Sequence, residues 1–215
     1  MLTPVRHPAK KGLSLKAGQA RLLHDLANIE LQAMELGLRT LFNFPDADME
    51  FKADLAQIVR DEAKHLKLCL DGIARLGFQW GDWPIHNMLW DCTSNEDSFL
   101  DRIVIVHCYL EGSGLDAGDT LLRKLSGVHA PESEPAVQVI AKDELAHVQF
   151  GTHWYVKTCK HCGLDPEKDF PERLRRLSHL LPTRREKINH ALRQNAGFTT
   201  TQIEALEDLQ SSYKR

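Results

Sequence analysis

Two segments of this 215-residue chain repeat one pattern. Arg60-Asp61-Glu62-Ala63-Lys64-His65 and Lys142-Asp143-Glu144-Leu145-Ala146-His147 both read basic residue, Asp, Glu, two residues, His. A Glu and a His three positions apart lie on one helix face and can bind one metal or bridge two. Each pair has an acid upstream: Glu30 precedes Glu62 by 32 residues, and Glu111 precedes Glu144 by 33. Two antiparallel helix pairs with this spacing can bring four carboxylates and two imidazoles to one height.

These acids interrupt apolar stripes. Glu30 shares its face with Leu23, Leu26, Ala27 and Ala33, and Glu62 with Leu55, Ile58, Val59 and Leu66. Glu111 sits among Val104, Cys108 and Leu115, and Glu144 among Val137, Ile140, Ala141 and Val148. One carboxylate in an apolar stripe is costly, and four converging carboxylates repel. Two divalent cations balance four carboxylates beside two neutral histidines. A single Glu-x-x-His is common on solvated helices; two copies, each with an acid in phase upstream, make a metal site the stronger expectation.

The elements that must position them are helical. Apolar residues recur three and four apart from Ser14 to a break at Asn43–Asp46, which contains Pro45. A second helix is expected from about Asp48 to Arg75, stopping at Gly77. A long connection, Gly77 to Asn95, holds Trp80, Trp83 and Trp90. The third helix is expected from near Ser94, with Asp97 completing a capping box, to about Leu125. The fourth runs from about Glu132 to Cys162, and two or three shorter helices follow Pro166. No strand-like alternation persists. The expected fold is all-α: an arm (1–13), a four-helix bundle with one long crossover (14–165), and a short C-terminal helical extension (166–215).

Hydrophobic residues make up 42% of the chain and charged residues 27%, so a core can form. The net charge of −3 speaks against a polybasic nucleic-acid binder. Residues 167–215 carry +3, and Arg173, Arg175, Arg176, Arg184, Arg185 and Arg193 either contact phosphate or form a solvated face. The longest nearly apolar run, Ile103 to Leu110, is far shorter than the ~20 residues of a membrane span. Five cysteines, an odd number, behind a polar N-terminus point to a reducing, cytoplasmic setting. Cys159-Lys-His-Cys162 is a lone CxxC, a weak zinc or redox signal.

His107 lies four residues before Glu111 on the same face, as a hydrogen-bonded core histidine or a further ligand. Gly112, Gly114 and Gly118 interrupt the third helix beside Glu111, either for close packing or to open a cavity, with a π-bulge in the second case. Tyr109 points away, and His24 and His153 are off the ligand face.

Glu30, Glu62-x-x-His65, Glu111 and Glu144-x-x-His147 resemble the ligand set of ferritin-like di-iron carboxylate proteins over residues 14–162. Glu111-Gly-Ser-Gly-Leu-Asp116 and Asp143-Glu-Leu-Ala-His147 are similar to an uncharacterised bacterial ferritin-like family that itself resembles the tRNA-modifying di-iron hydroxylase. The resemblance implies one metal on Glu30, Glu62 and His65 and a second on Glu111, Glu144 and His147, with Glu62 and Glu144 bridging. It implies that Asp61 and Asp143 accept hydrogen bonds from the histidine of the opposite helix; the other reading is a surface pair with the histidine four residues on in the same helix. The cofactor implied is two iron ions, with manganese or a mixed pair as the other choice. The function implied is a di-iron oxidoreductase that uses dioxygen, an external electron donor and an unidentified small-molecule or tRNA substrate. The alternative is a ferroxidase. Three crossover tryptophans that could wall a pocket, and the basic extension, favour the oxidase over a minimal storage subunit.

Overall fold

The computed structural model describes residues 9–184 and 186–213, so most of the expected N-terminal arm, and Arg185, lie outside the described residues. Helix α1 spans Lys16–Asn43 and stops before Pro45, whose ring disfavours helical backbone in the residue preceding it. Helix α2 spans Met49–Arg75; the Asp48 carboxylate accepts the Glu50 N–H at its start, and Gly77 turns the chain at φ +85°. After a crossover with one 3-10 turn at Trp90–Cys92 comes a continuous helix, α3, in three segments. It is α-helical over Phe99–Ile103, π-helical over Val104–Leu110 and α-helical over Glu111–Ser126. Helix α4 spans Glu134–His161. Three shorter helices follow: α5 (Pro166–Leu177), α6 (His190–Asn195) and α7 (Thr200–Ser212). The described residues contain no strand.

Helix α3 starts later than its sequence suggests. Ser94 and Asp97 do pair, with Ser94 N–H and Oγ–H each 3.0 Å from an Asp97 oxygen, but they do so in the turn before the helix. Asp97 also accepts from the fully buried Arg102, 3.0 Å away, which holds it off the helix start. Ser98 caps the helix instead, its Oγ accepting the Asp101 N–H.

Helix α1 packs along α2, α3 along α4, and α2 crosses to α4. The main core joins Leu36, Phe51, Leu55, Ile103, Val106 and Trp154, and it continues into Phe170, Leu174, Phe198, Ile203 and Leu206. The C-terminal helices are therefore part of the same core and not an appendage. Charge pairs fix them there. The carboxylate of Asp101 on α3 accepts from Arg173 and, at 2.6 Å, from Arg176. Arg193, 2% exposed, bonds Asp116 at 2.8 Å and the carbonyl of Cys108 at 3.0 Å. Arg173 and Arg193 thus serve neither as phosphate contacts nor as a simple solvated face, because their guanidinium groups are engaged inside the molecule, whereas Arg176 pairs with Asp101 from an exposed position.

Two glycines permit these approaches. A Cβ at Gly112 would collide with the Arg193 guanidinium, and one at Gly151 on α4 would lie 2.6 Å from the Cβ of His107 in the π segment. Gly112 accordingly belongs to packing, whereas Gly114 and Gly118 border a cavity.

Removing one partner of a buried charge pair leaves the other uncompensated. Asp116→Ala is expected to lower unfolding stability by about 3–5 kcal/mol in urea titrations. A loss below about 0.5 kcal/mol, typical of surface substitutions, would show that Arg193 does not depend on Asp116.

Candidate metal centre

The structure brings all six sequence-predicted side chains into the interior between the four long helices. Glu30, Glu62, His65 and His147 are at most 2% exposed, Glu144 is 7% and Glu111 8% exposed. Two sets of donor atoms lie close enough to hold a cation: Glu30, Glu62 and His65, and Glu62, Glu111 and His147. Glu62 belongs to both. Its Oε2 is 3.6 Å from Nδ1 of His65, which is also 3.5 Å from Oε2 of Glu30. Its Oε1 is 2.9 Å from Nδ1 of His147.

Neither atom of that last contact has a hydrogen-bond partner, so the short distance is not a hydrogen bond. Two donors each about 2.1 Å from one metal, at right angles, stand about 3.0 Å apart. Both oxygens of Glu62, Nδ1 of His65, Nδ1 of His147 and Oε2 of Glu144 are buried with no hydrogen-bond partner. Buried polar atoms are otherwise satisfied in folded proteins. A carboxylate and imidazole donor set of this kind suits iron, manganese or zinc. The residues therefore fit a pair of divalent metals.

Glu144 differs from the arrangement that the resemblance implies. It stands beside Glu111, with Oε1 3.5 Å from the point where Gly114 would carry a Cβ, and joins neither close set. The missing side chain at Gly114 leaves room for it.

The two aspartates face the opposite helices. Nε2 of His65 on α2 is 3.1 Å from Oδ2 of Asp143 on α4, and that oxygen also accepts from Lys64 at 2.8 Å. Nε2 of His147 is 3.7 Å from Asp61, too far for a hydrogen bond. The Asp143 contact turns Nδ1 of His65 toward the glutamates.

His107 is not hydrogen-bonded, contrary to the core-histidine expectation. Both ring nitrogens are buried without a partner, and the ring packs edge-on against Phe150 at 4.8 Å. It lies in neither close set. Burial, with the neighbouring His147, depresses its pKa to about 3, so it is neutral. Tyr109 turns away and donates to the Pro182 carbonyl at 2.7 Å. His24 stacks on Trp80 at 4.6 Å, and His153 is exposed. All five cysteines are free; Cys159 is buried and Cys162 exposed, so the CxxC forms no bridge.

Beside the donors lies a cavity of about 120 Å³. Glu30, Glu111 and Glu144 form part of its wall, and the rest is largely apolar: Leu26, Ile29, Leu36, Val137, Ile140 and, on α3, Gly114, Ala117 and Gly118. The crossover contributes Leu89; Trp80, Trp83 and Trp90 do not reach the wall, contrary to expectation. They pack elsewhere, Trp80 and Trp83 around His24 and Trp90 under Arg39. One lining residue that sequence spacing could not single out is Arg184, from the connection after α5.

Without a cation the cluster holds protons. Burial raises Glu30 and Glu144 well above the usual carboxylate range, and burial with the nearby Glu62 pushes Glu111 up to about 7. Burial opposes the charge on Glu62 too, but His147 and His65 outweigh it and hold Glu62 ionised. Burial likewise opposes charging of His65, and Glu30 and Glu62 overcome it, pushing His65 up to about 10. Metal binding must displace these protons. Apparent affinity is therefore expected to rise with pH below about 7, where Glu111 is still protonated, and proton release should appear when calorimetric titrations with ferrous or manganous ion are repeated in different buffers. Affinity independent of pH between about 6 and about 8, roughly one unit either side of that value, would mean that ions bind elsewhere. Asp143→Ala, which frees Nε2 of His65, is expected to weaken affinity about 10–100-fold. Wild-type affinity in that variant would reduce Asp143 to a surface partner of Lys64.

No helix among the described residues is long and apolar enough to cross a membrane. An uncharacterized protein of Haemophilus influenzae is 29% identical over 222 residues, an alignment covering 100% of this chain and 76% of that protein. A family match spans residues 1–204, so the chain belongs to the family described as "Protein of unknown function (DUF455)".

Proposed function

We propose that this chain is a ferritin-like di-metal carboxylate oxidase or oxygenase, carrying two iron ions, or manganese in one or both places. The observation that supports it most is the sharing of Glu62 between two buried donor sets, each with its own histidine. A Glu from each of two helices and a Glu-x-x-His from each of the other two is the donor set of ferritin-like di-metal proteins. The single long crossover between α2 and α3 also matches that layout.

Glu30, Glu62 and His65 would hold one ion, and Glu111 and His147, with Glu62 between, the other. Glu144 is within reach of the second place through Glu111. When two redox metals are bound, the chemistry they supply is reduction of dioxygen coupled to oxidation of an organic molecule, with further electrons from an external donor. The chain's own part is fourfold. Four glutamates neutralise the ions. Asp143 fixes the His65 ring. The apolar wall keeps bulk water from the reacting face. Gly114 and Gly118 leave space there for a second molecule.

The cavity favours an oxidase over an iron store. A store needs an exit for iron into a cage; an oxygenase needs the ions to stay and a pocket for an organic co-substrate. The proposed setting is the cytoplasm.

The expected result is a small species keeping about two metals per chain, with oxygen consumed only when reductant and co-substrate are present. Gel filtration with iron analysis after incubation in excess ferrous iron and air checks it. A large hollow assembly loaded with hundreds of irons would contradict the oxygenase reading in favour of the ferroxidase. Protein that retains no metal after such loading would contradict both.

A further inference from the structure

The wall of the cavity beside the glutamates includes one cationic side chain, and it makes no ion pair among the described residues. Arg184 lines the wall, and its Nε is buried without a hydrogen-bond partner. The other arginines drawn into the interior are all paired: Arg102 with Asp97, Arg173 with Asp101 and Asp169, Arg193 with Asp116. No carboxylate among the described residues comes within ion-pair distance of Arg184. Burial acts on it most and disfavours its charge; the groups that act next are Tyr109, Glu186, Cys92 and Arg193, and none of these belongs to the metal-donor set.

The fold delivers Arg184 to this place. Its own carbonyl accepts from Gln210 of α7 at 3.2 Å. Two residues earlier, the Pro182 carbonyl accepts from Tyr109 of the π segment at 2.7 Å. Five residues later, the Asn189 N–H donates to Asp116 at 2.9 Å. A connection tied to the bundle at three points holds Arg184 in the cavity wall by construction. A buried Nε–H without a partner on a half-buried, unpaired cation is costly, so the arrangement calls for an anion that arrives from outside.

We propose that the cavity binds an organic monocarboxylate, with its carboxylate on Arg184 and its apolar body along Leu26, Ile29, Val137 and Ile140 toward the glutamate cluster. One guanidinium offers a single positive charge and a planar fork, which match one carboxylate. The apolar wall strengthens that pairing by excluding water. A cavity of about 120 Å³ limits the body to a small ring or branched chain, since an apolar cavity of about 150 Å³ admits benzene. The assignment rests on the di-metal reading only for which end of the ligand reacts; the binding itself does not need it.

Calorimetric titration of the full-length, iron-loaded chain with benzoate and with the neutral benzamide tests the proposal, with metal counted in the same samples. The wild type should prefer benzoate, and Arg184→Gln should weaken benzoate about 10–100-fold while leaving benzamide and metal content unchanged. Equal affinity for the two probes, an equal loss of both in the variant, or no binding of either would overturn it. Tighter binding of phenyl phosphate than of benzoate would overturn the carboxylate assignment. A crystal of the wild type soaked in 4-bromobenzoate gives an answer that does not depend on the variant folding. Its carboxylate is expected on Arg184 and its bromine in the cavity; a carboxylate on the glutamate-bound ions or a probe outside the cavity would contradict the proposal. Samples that retain no metal after iron loading and still discriminate benzoate through Arg184 would sink the di-metal reading and leave this one standing.

Discussion

Four glutamate carboxylates in one interior cannot all be charged without a counter-charge, and most of this fold is organised around that constraint. Desolvation and mutual repulsion raise three of them far enough to retain protons, while two histidines hold Glu62 ionised at the centre. The result is a shared anion flanked by two imidazoles whose Nδ1 atoms approach it without hydrogen bonding. Protons relieve the repulsion without satisfying those lone pairs. Divalent cations do both.

Everything that sets the positions of these groups lies one layer out. The π segment Val104–Leu110 widens α3 immediately before Glu111 and is gripped from α4 by Gly151, which has no Cβ to strike His107. π segments are frequent at functional sites. The same stretch of helix is held from outside by Arg193, which bonds the Cys108 carbonyl and Asp116 and lies where a side chain at residue 112 would be. The C-terminal helices therefore brace the donor helix, and their connection carries Arg184 into the cavity. A basic extension that looks like a separate surface in composition packs behind α3 and contributes one residue, Arg184, to the cavity wall.

The helices were legible in the sequence because each long one carries a continuous apolar stripe and ends at proline or glycine: Pro45 closes α1 and Gly77 closes α2. The start of α3 was not, since Ser94 and Asp97 do make a capping pair, but one that Arg102 holds in the preceding turn. The six donor residues were legible from spacing, as carboxylates in phase on apolar stripes. The position of Glu144 was not, because it depends on the space left by Gly114 across the interhelical gap. Tertiary contacts also decided the tryptophans and arginines. Trp80 follows His24, and Arg173 and Arg176 follow Asp101, partners remote in sequence that no local pattern announces. The lack of any hydrogen bond at His107 likewise appears only once Phe150 is packed against it.

The most direct test of the central claim is anomalous diffraction from crystals of the iron-loaded protein, recorded at the iron edge. Two peaks about 3.5–4 Å apart are expected, one on either side of the Glu62 carboxylate, the first against Glu30 and His65 and the second against Glu111 and His147. No peak at Glu62, or iron confined to surface carboxylates, would contradict it.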